Sequence, residues 1–207
     1  MIVSPFHPLF GITIGILILC GTILFGQKLM TKLGQRDCVV LAFGLGMVLI
    51  SQSIYILTFN KITINIIYPA AMCLMVMGIR YLFINRSLLL SIKNKWGNQL
   101  QNLIHDPFYF LTVSLIISYV LISFSPPTNA DALHYHLGIP VYLMRHQEWP
   151  STNLWLHGSF GGIGEIFNTL GLVLYAKNLG TIIQSFSLVA FCCYLANRFD
   201  GSKRWFL

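Results

Sequence analysis

The sequence predicts an all-α, polytopic membrane protein with one long polar loop, and three observations carry that prediction. Hydrophobic residues make up 56% of the 207 and charged residues only 9%, against about 25% charged in a soluble domain. Apolar runs recur at the length that a helix needs to cross a bilayer, about 20 residues. The basic residues sit beside these runs, as the positive-inside rule places them. The net charge of +7 therefore needs no nucleic-acid partner. No basic stretch with interleaved aromatics is present, so nucleic acid is excluded as a ligand.

Taken in order, the first span is 9–26. No Lys or Arg precedes Lys28, so the charged region of a signal peptide is missing and the span reads as an uncleaved anchor. A basic loop with Lys28, Lys32 and Arg36 leads to the second span, 38–59. Residues 60–63 read as a tight turn before the third span, 64–84. Residues 85–106 carry Arg86, Lys93, Lys95 and Trp96 and read as an amphipathic segment along the cytoplasmic interface. Pro107 opens the fourth span, 107–124, and Pro126-Pro127 stops it. The apolar stretch 166–196 is broken by Lys177-Asn178-Leu179-Gly180. It reads as two short spans, 166–176 and 180–196, turning at Lys177. The five cysteines, Cys20, Cys38, Cys73, Cys192 and Cys193, fall in or at the ends of spans and read as apolar packing residues. No repeat divides the chain, so 1–207 reads as a single membrane domain.

Counting Lys and Arg orients it. With the N-terminus outside, eight lie inside (Lys28, Lys32, Arg36, Arg80, Arg86, Lys93, Lys95, Lys177) and five outside (Lys61, Arg145, Arg198, Lys203, Arg204). Loop 125–165 is then extracytoplasmic. If 166–196 crosses only once, Arg198, Lys203 and Arg204 move inside, the bias strengthens, and the loop stays outside.

That loop concentrates the ionisable groups. It holds three of the six acidic residues (Asp131, Glu148, Glu165) and four of the six histidines (His134, His136, His146, His157). Such groups are costly within a bilayer and mark function when they gather. On a helix at 100° per residue, Asp131, His134, Tyr135, Tyr142 and Arg145 share a face, with Leu133, Leu137, Pro140 and Met144 opposite. This predicts an amphipathic interfacial helix kinked near Pro140. Its polar face suits an anionic, sugar-bearing head group. Asp131 would accept a proton from a hydroxyl, and Arg145 would pair with phosphate. Thr128-Asn129-Ala130-Asp131 also fits a helix-capping box, so Asp131 has a structural reading of equal standing.

His134 and His136 point about 200° apart on a helix and do not share an ion, so no protein metal site is assigned. A divalent cation held by Asp131 and a phosphate is compatible with the set, though no residue demands it. The glycine run from His157 to Glu165 would let a lipid phosphate approach backbone amides, or would pack closely at the top of a span. Glu165 stands at a span mouth, where a carboxylate needs a partner. Trp149 and Trp155 read as interface anchors, and His146 and Glu148 as solvated loop residues.

The loop resembles the first extracytoplasmic loop of the GT-C-type membrane glycosyltransferases, the bacterial relatives of protein mannosyltransferases and of the lipid A aminoarabinose transferase. The matching residues run from Pro126-Pro127-Thr128-Asn129-Ala130-Asp131 through Tyr135-His136 to Tyr142 and Glu148, then through the His/Gly-rich approach to Glu165 and a final span closed by Arg198. The resemblance covers 108–205. It implies transfer of a sugar, hexosyl or pentosyl, from a polyprenyl-phosphate donor to a lipid, glycan or protein acceptor outside the bacterial plasma membrane. Asp131 would be the base or acceptor-positioner. His134 and Arg145 would contact phosphate, and Tyr135, His136, Tyr142, His157 and Glu165 would complete the substrate site. The family usually carries two adjacent acids here, whereas Ala130 and Ala132 flank Asp131. It also carries further spans, so a second chain would supply them to this N-terminal module. The alternative expectation is a non-catalytic membrane scaffold or a truncated, inactive remnant of such an enzyme.

Overall fold

The computed structural model describes residues 8–34, 38–59, 64–86, 107–125, 136–150 and 162–198. The described residues form seven helices: α1 (Pro8–Lys32), α2 (Val39–Phe59), α3 (Ile64–Ile84), α4 (Pro107–Ser123), α5 (Gly138–His146), α6 (Ile163–Leu172) and α7 (Leu179–Arg198). Three of them contain stretches long and apolar enough to cross a membrane, Leu9–Lys32, Val39–Leu57 and Asn65–Ile84. Val113–Ser123 and Leu179–Cys192 are shorter apolar helical stretches.

Local sequence sets the helix ends. Pro8 and Pro107 occupy first helical positions, where the missing N–H has no intrahelical partner anyway. α1 runs past the expected end at Gly26 to Lys32, because Gly26 packs on α2 instead of breaking the helix. It stops at Gly34, whose φ of +68° is the left-handed conformation that closes helices. α5 ends on Gln147 at φ 59°, with its N–H donated to the Leu143 carbonyl at 2.8 Å. Pro140 lies in the first turn of α5, where proline disturbs no helical hydrogen bond.

α1 is the centre of the bundle and packs on α2, α3, α6 and α7. Its small residues let backbones approach. A Cβ on Gly21 would overlap the Leu74 carbonyl of α3, and one on Gly78 would overlap the Leu17 carbonyl of α1. Gly26 meets the Ala42 carbonyl of α2 in the same way. Packing of this kind holds helices together where lipid removes the hydrophobic driving force between them. Ile18, Ile23, Phe43, Ala71, Phe167 and Leu179 fill the core between these contacts.

One end of the bundle gathers the polar connections. Gly11 of α1 lies against the Tyr175 carbonyl. The Asn178 side-chain amide donates to the Ser125 carbonyl at 2.7 Å, and the Thr181 hydroxyl donates to the Ser123 carbonyl at 2.6 Å. These are orphan carbonyls at the α4 C-terminus. Tyr55, near the α2 C-terminus, packs its ring 5.7 Å from that of Trp149. The turn at 173–178 therefore lies at the end where the polar loop begins.

The expected turn at Lys177 falls within this turn. The expected span 166–176 is instead the ten-residue α6, about 15 Å long at 1.5 Å per residue, half a hydrocarbon thickness. α6 is buried from Glu165 to Leu172, and the chain then reverses into α7.

Candidate functional site

The site is built on the first turn of α6. Gly162 is the N-cap, in extended conformation at φ −108°. Three residues on, the Glu165 carboxylate turns back, and its Oε2 accepts the Gly162 N–H at 2.8 Å. This is the acidic half of a capping box, and it places negative charge against the positive end of the helix dipole. The other oxygen, Oε1, lies 2.8 Å from His136 Nδ1. Glu165 is only 6% exposed, so this partner removes the cost of a lone buried carboxylate.

His136 is held through both its side chain and its backbone. Its side chain meets Glu165, and its backbone carbonyl accepts the Asn168 side-chain amide at 2.9 Å. Glu165 and Asn168 are three apart and share one face of α6. The Thr169 hydroxyl donates to the Glu165 carbonyl at 2.7 Å. α7 closes the arrangement from behind, because Gly180 abuts the Asn168 amide so tightly that a Cβ there would overlap Asn168 Oδ1.

Glu165 thus ties the loop segment at His136 to the bundle across 29 residues. Its carboxylate accepts hydrogen bonds only, so Nδ1 of His136 carries the proton and the ring has a set tautomer and orientation. The imidazole is 41% exposed while the carboxylate behind it is 8% exposed. The ring is thus held on a fixed internal support while part of its surface reaches solvent.

The helix that follows His136 packs on α6. Ile139, Pro140 and Leu143 form its buried side. Tyr142 is half-buried and stacks on His146 with ring centroids 4.1 Å apart, and Arg145 is exposed. Trp149 is not a simple interface anchor, since it packs on the core against Tyr55 and its Nε1 is buried without a hydrogen-bond partner. Of the residues expected in the site, His136 and Glu165 are brought into contact. Tyr142 and Arg145 lie on α5. Asp131, His134, Tyr135 and His157, and the capping pattern 128–131, lie outside the described residues. Among the described residues no group of three or more His, Cys, Asp or Glu side chains could hold a metal ion.

Asn168, Asn178 and Gly180 were not foreseen. An amide three residues after a span-mouth carboxylate, and a second one opening the next helix, are polar groups inside apolar runs that need partners. That need is the signal they carried.

An all-helical bundle with membrane-length helices and a carboxylate–histidine pair at one end defines the class of protein. The chain belongs to the DUF1420 N-terminal domain family, whose model matches residues 79–200. No curated protein and no solved structure matches the chain.

Proposed function

We propose that this chain is a membrane glycosyltransferase, or the N-terminal module of one, that moves a sugar from a polyprenyl-phosphate donor to an acceptor outside the cytoplasm. The observation that carries this reading is the contact between His136 and Glu165. It fixes His136, the last residue of the motif at the centre of the resemblance to GT-C-type enzymes, on the mouth of α6. Asp131 acts as base or acceptor-positioner. His134 and Arg145 meet phosphate, and Tyr135, Tyr142 and His157 line the sugar and lipid head group. Glu165 is a positioning residue, since it is buried and bonded to Gly162 and His136. In this reading the helices cross the bacterial plasma membrane with the loop outside, and a second chain or segment adds the remaining spans.

The test is transfer of labelled sugar from polyprenyl-phosphate hexose or pentose donors in membranes containing the full protein. Asp131→Asn is expected to reduce transfer at least 100-fold, the order of a lost general base, with membrane insertion unchanged. A fully active Asp131→Asn protein would remove Asp131 from the mechanism and leave it as a helix cap. The scaffold reading is favoured by one observation, the wholly internal bonding of Glu165. It predicts that substitutions at Asp131 and Glu165 alter only stability or assembly.

A further inference from the structure

α2 presents two faces with the same spacing. Phe43, Met47, Ile50 and Ile54 lie four, three and four residues apart and are buried in the core. Leu41, Leu45, Val48 and Gln52 repeat that spacing on the opposite side of the helix. This second face points away from the bundle, since Leu41, Val48 and Gln52 are exposed and Leu45 is half-buried. An outer face of leucine and valine alone would suit lipid. Gln52 does not.

Gln52 stands within the membrane-length stretch Val39–Leu57, about 7.5 Å from its nearer end at 1.5 Å per residue. Its amide carries two donors and an acceptor. It has no hydrogen-bond partner among the described residues. Hydroxyls in the same bundle are satisfied within their own helices, as when Thr22 and Ser51 donate to carbonyls one turn earlier. Glutamine is shorter than the lysines and arginines that reach the interface from within a span, and lipid tails offer it nothing. Amides in spans find their partners across helix–helix contacts.

The chemistry of the amide says which helix. Donor and acceptor together make glutamine its own complement. Two copies inserted in the same direction are related by a two-fold axis along the membrane normal, which brings each residue to its own depth. α2 then meets α2 in parallel and in register, and Gln52 meets Gln52. The spacing of Leu41, Leu45, Val48 and Gln52 is that of a parallel two-stranded seam, where one polar residue fixes register and strand number. A chain of different sequence would need a polar group set independently at that depth.

We propose that this chain forms a homodimer in the membrane through the outer face of α2, with the two Gln52 amides hydrogen-bonded across the two-fold axis. The interface is separate from the His136–Glu165 cluster. It rests on the membrane reading and not on a glycosyltransferase activity.

The test is dimerisation of the full chain, labelled with a fluorophore, in phospholipid vesicles over a series of protein-to-lipid ratios. Photobleaching steps count the copies. The wild type is expected to dimerise. Gln52→Leu, which removes the amide and suits lipid, is expected to weaken the dimer about 3- to 30-fold, the worth of one interhelical hydrogen bond. Gln184→Leu, which removes the exposed amide of α7, is expected to leave it unchanged. With the native cysteines replaced by alanine, Val48→Cys is expected to form a disulfide between copies on oxidation. Val76→Cys, on the exposed side of α3, is expected to form none. A monomer at every ratio overturns the proposal, and so does a Gln52→Leu protein that dimerises like the wild type. Loss of the dimer in Gln184→Leu alone would place the contact on α7 and overturn it equally.

Discussion

α1 and α3 meet through glycines, whereas α6 and the loop meet through polar side chains. In the first pair, Gly21 and Gly78 let two backbones touch, and no charged group takes part. In the second, a buried carboxylate, an imidazole and an amide join segments 29 and 32 residues apart. The first solution depends on shape and tolerates no added atom. The second depends on matched donors and acceptors and tolerates a substitution that keeps them. Shape suffices where apolar helices need only a fixed distance, whereas the polar contact fixes the position of one ring, that of His136.

The largest effect is therefore expected at a glycine. Gly78→Leu places a side chain where the Leu17 carbonyl lies, and neither backbone can yield without shifting its helix. A loss of about 3 kcal/mol or more is expected, at the upper end of overpacking costs. It would be read as a large drop in melting temperature or as failure to recover monodisperse protein. A Gly78→Leu protein as stable as the wild type would mean that α1 and α3 do not approach this closely, and the comparison would lose its first half.

Glu165 gives the next largest effect. Glu165→Ala leaves the Gly162 N–H and His136 Nδ1 without their acceptor, and about 2 kcal/mol of destabilisation is expected for a charge-assisted pair whose imidazole is partly exposed to water. Glu165→Gln keeps an oxygen for Gly162 and is expected to lose about half as much. If the two substitutions melt together, hydrogen-bond matching is not what holds the loop, and the contrast with the glycine contact collapses.

Most of the long helices were legible in the sequence because bilayer-length apolar runs and proline punctuation act locally. Pro107 and Pro126-Pro127 bracketed α4 to within a residue. The need of Glu165 for a partner was legible too, because a carboxylate at a span mouth is unfavourable alone. Its partner was not, since His136 is distant in sequence and one of four histidines in the loop. The glycine contacts were equally hidden. Gly21 and Gly78 look like any glycines in apolar runs until a second backbone is placed against them. The polar ties of the turn after α6 were hidden for a related reason. Hydropathy counts apolar residues and does not register that Asn178 and Thr181 are bonded to the end of α4.

That reversal yields the prediction with the smallest effect on stability and the sharpest reading of topology. Lys177 lies in the turn at 173–178, beside bonds that fix Asn178 to Ser125. Those bonds are made by Asn178 and Thr181, so Lys177→Cys is expected to change stability by less than about 0.5 kcal/mol. With the native cysteines replaced, a membrane-impermeant thiol reagent should then label Cys at 177 from the same side as a cysteine placed at Ser125. Labelling from opposite sides would mean that 166–196 crosses twice after all, and that α6 passes through the bilayer rather than returning to the loop. The same-side outcome would put the His136–Glu165 support and the turn on one face of the membrane. The polar solution would then be confined to the face that carries the loop, and the glycine solution to the helices beneath it.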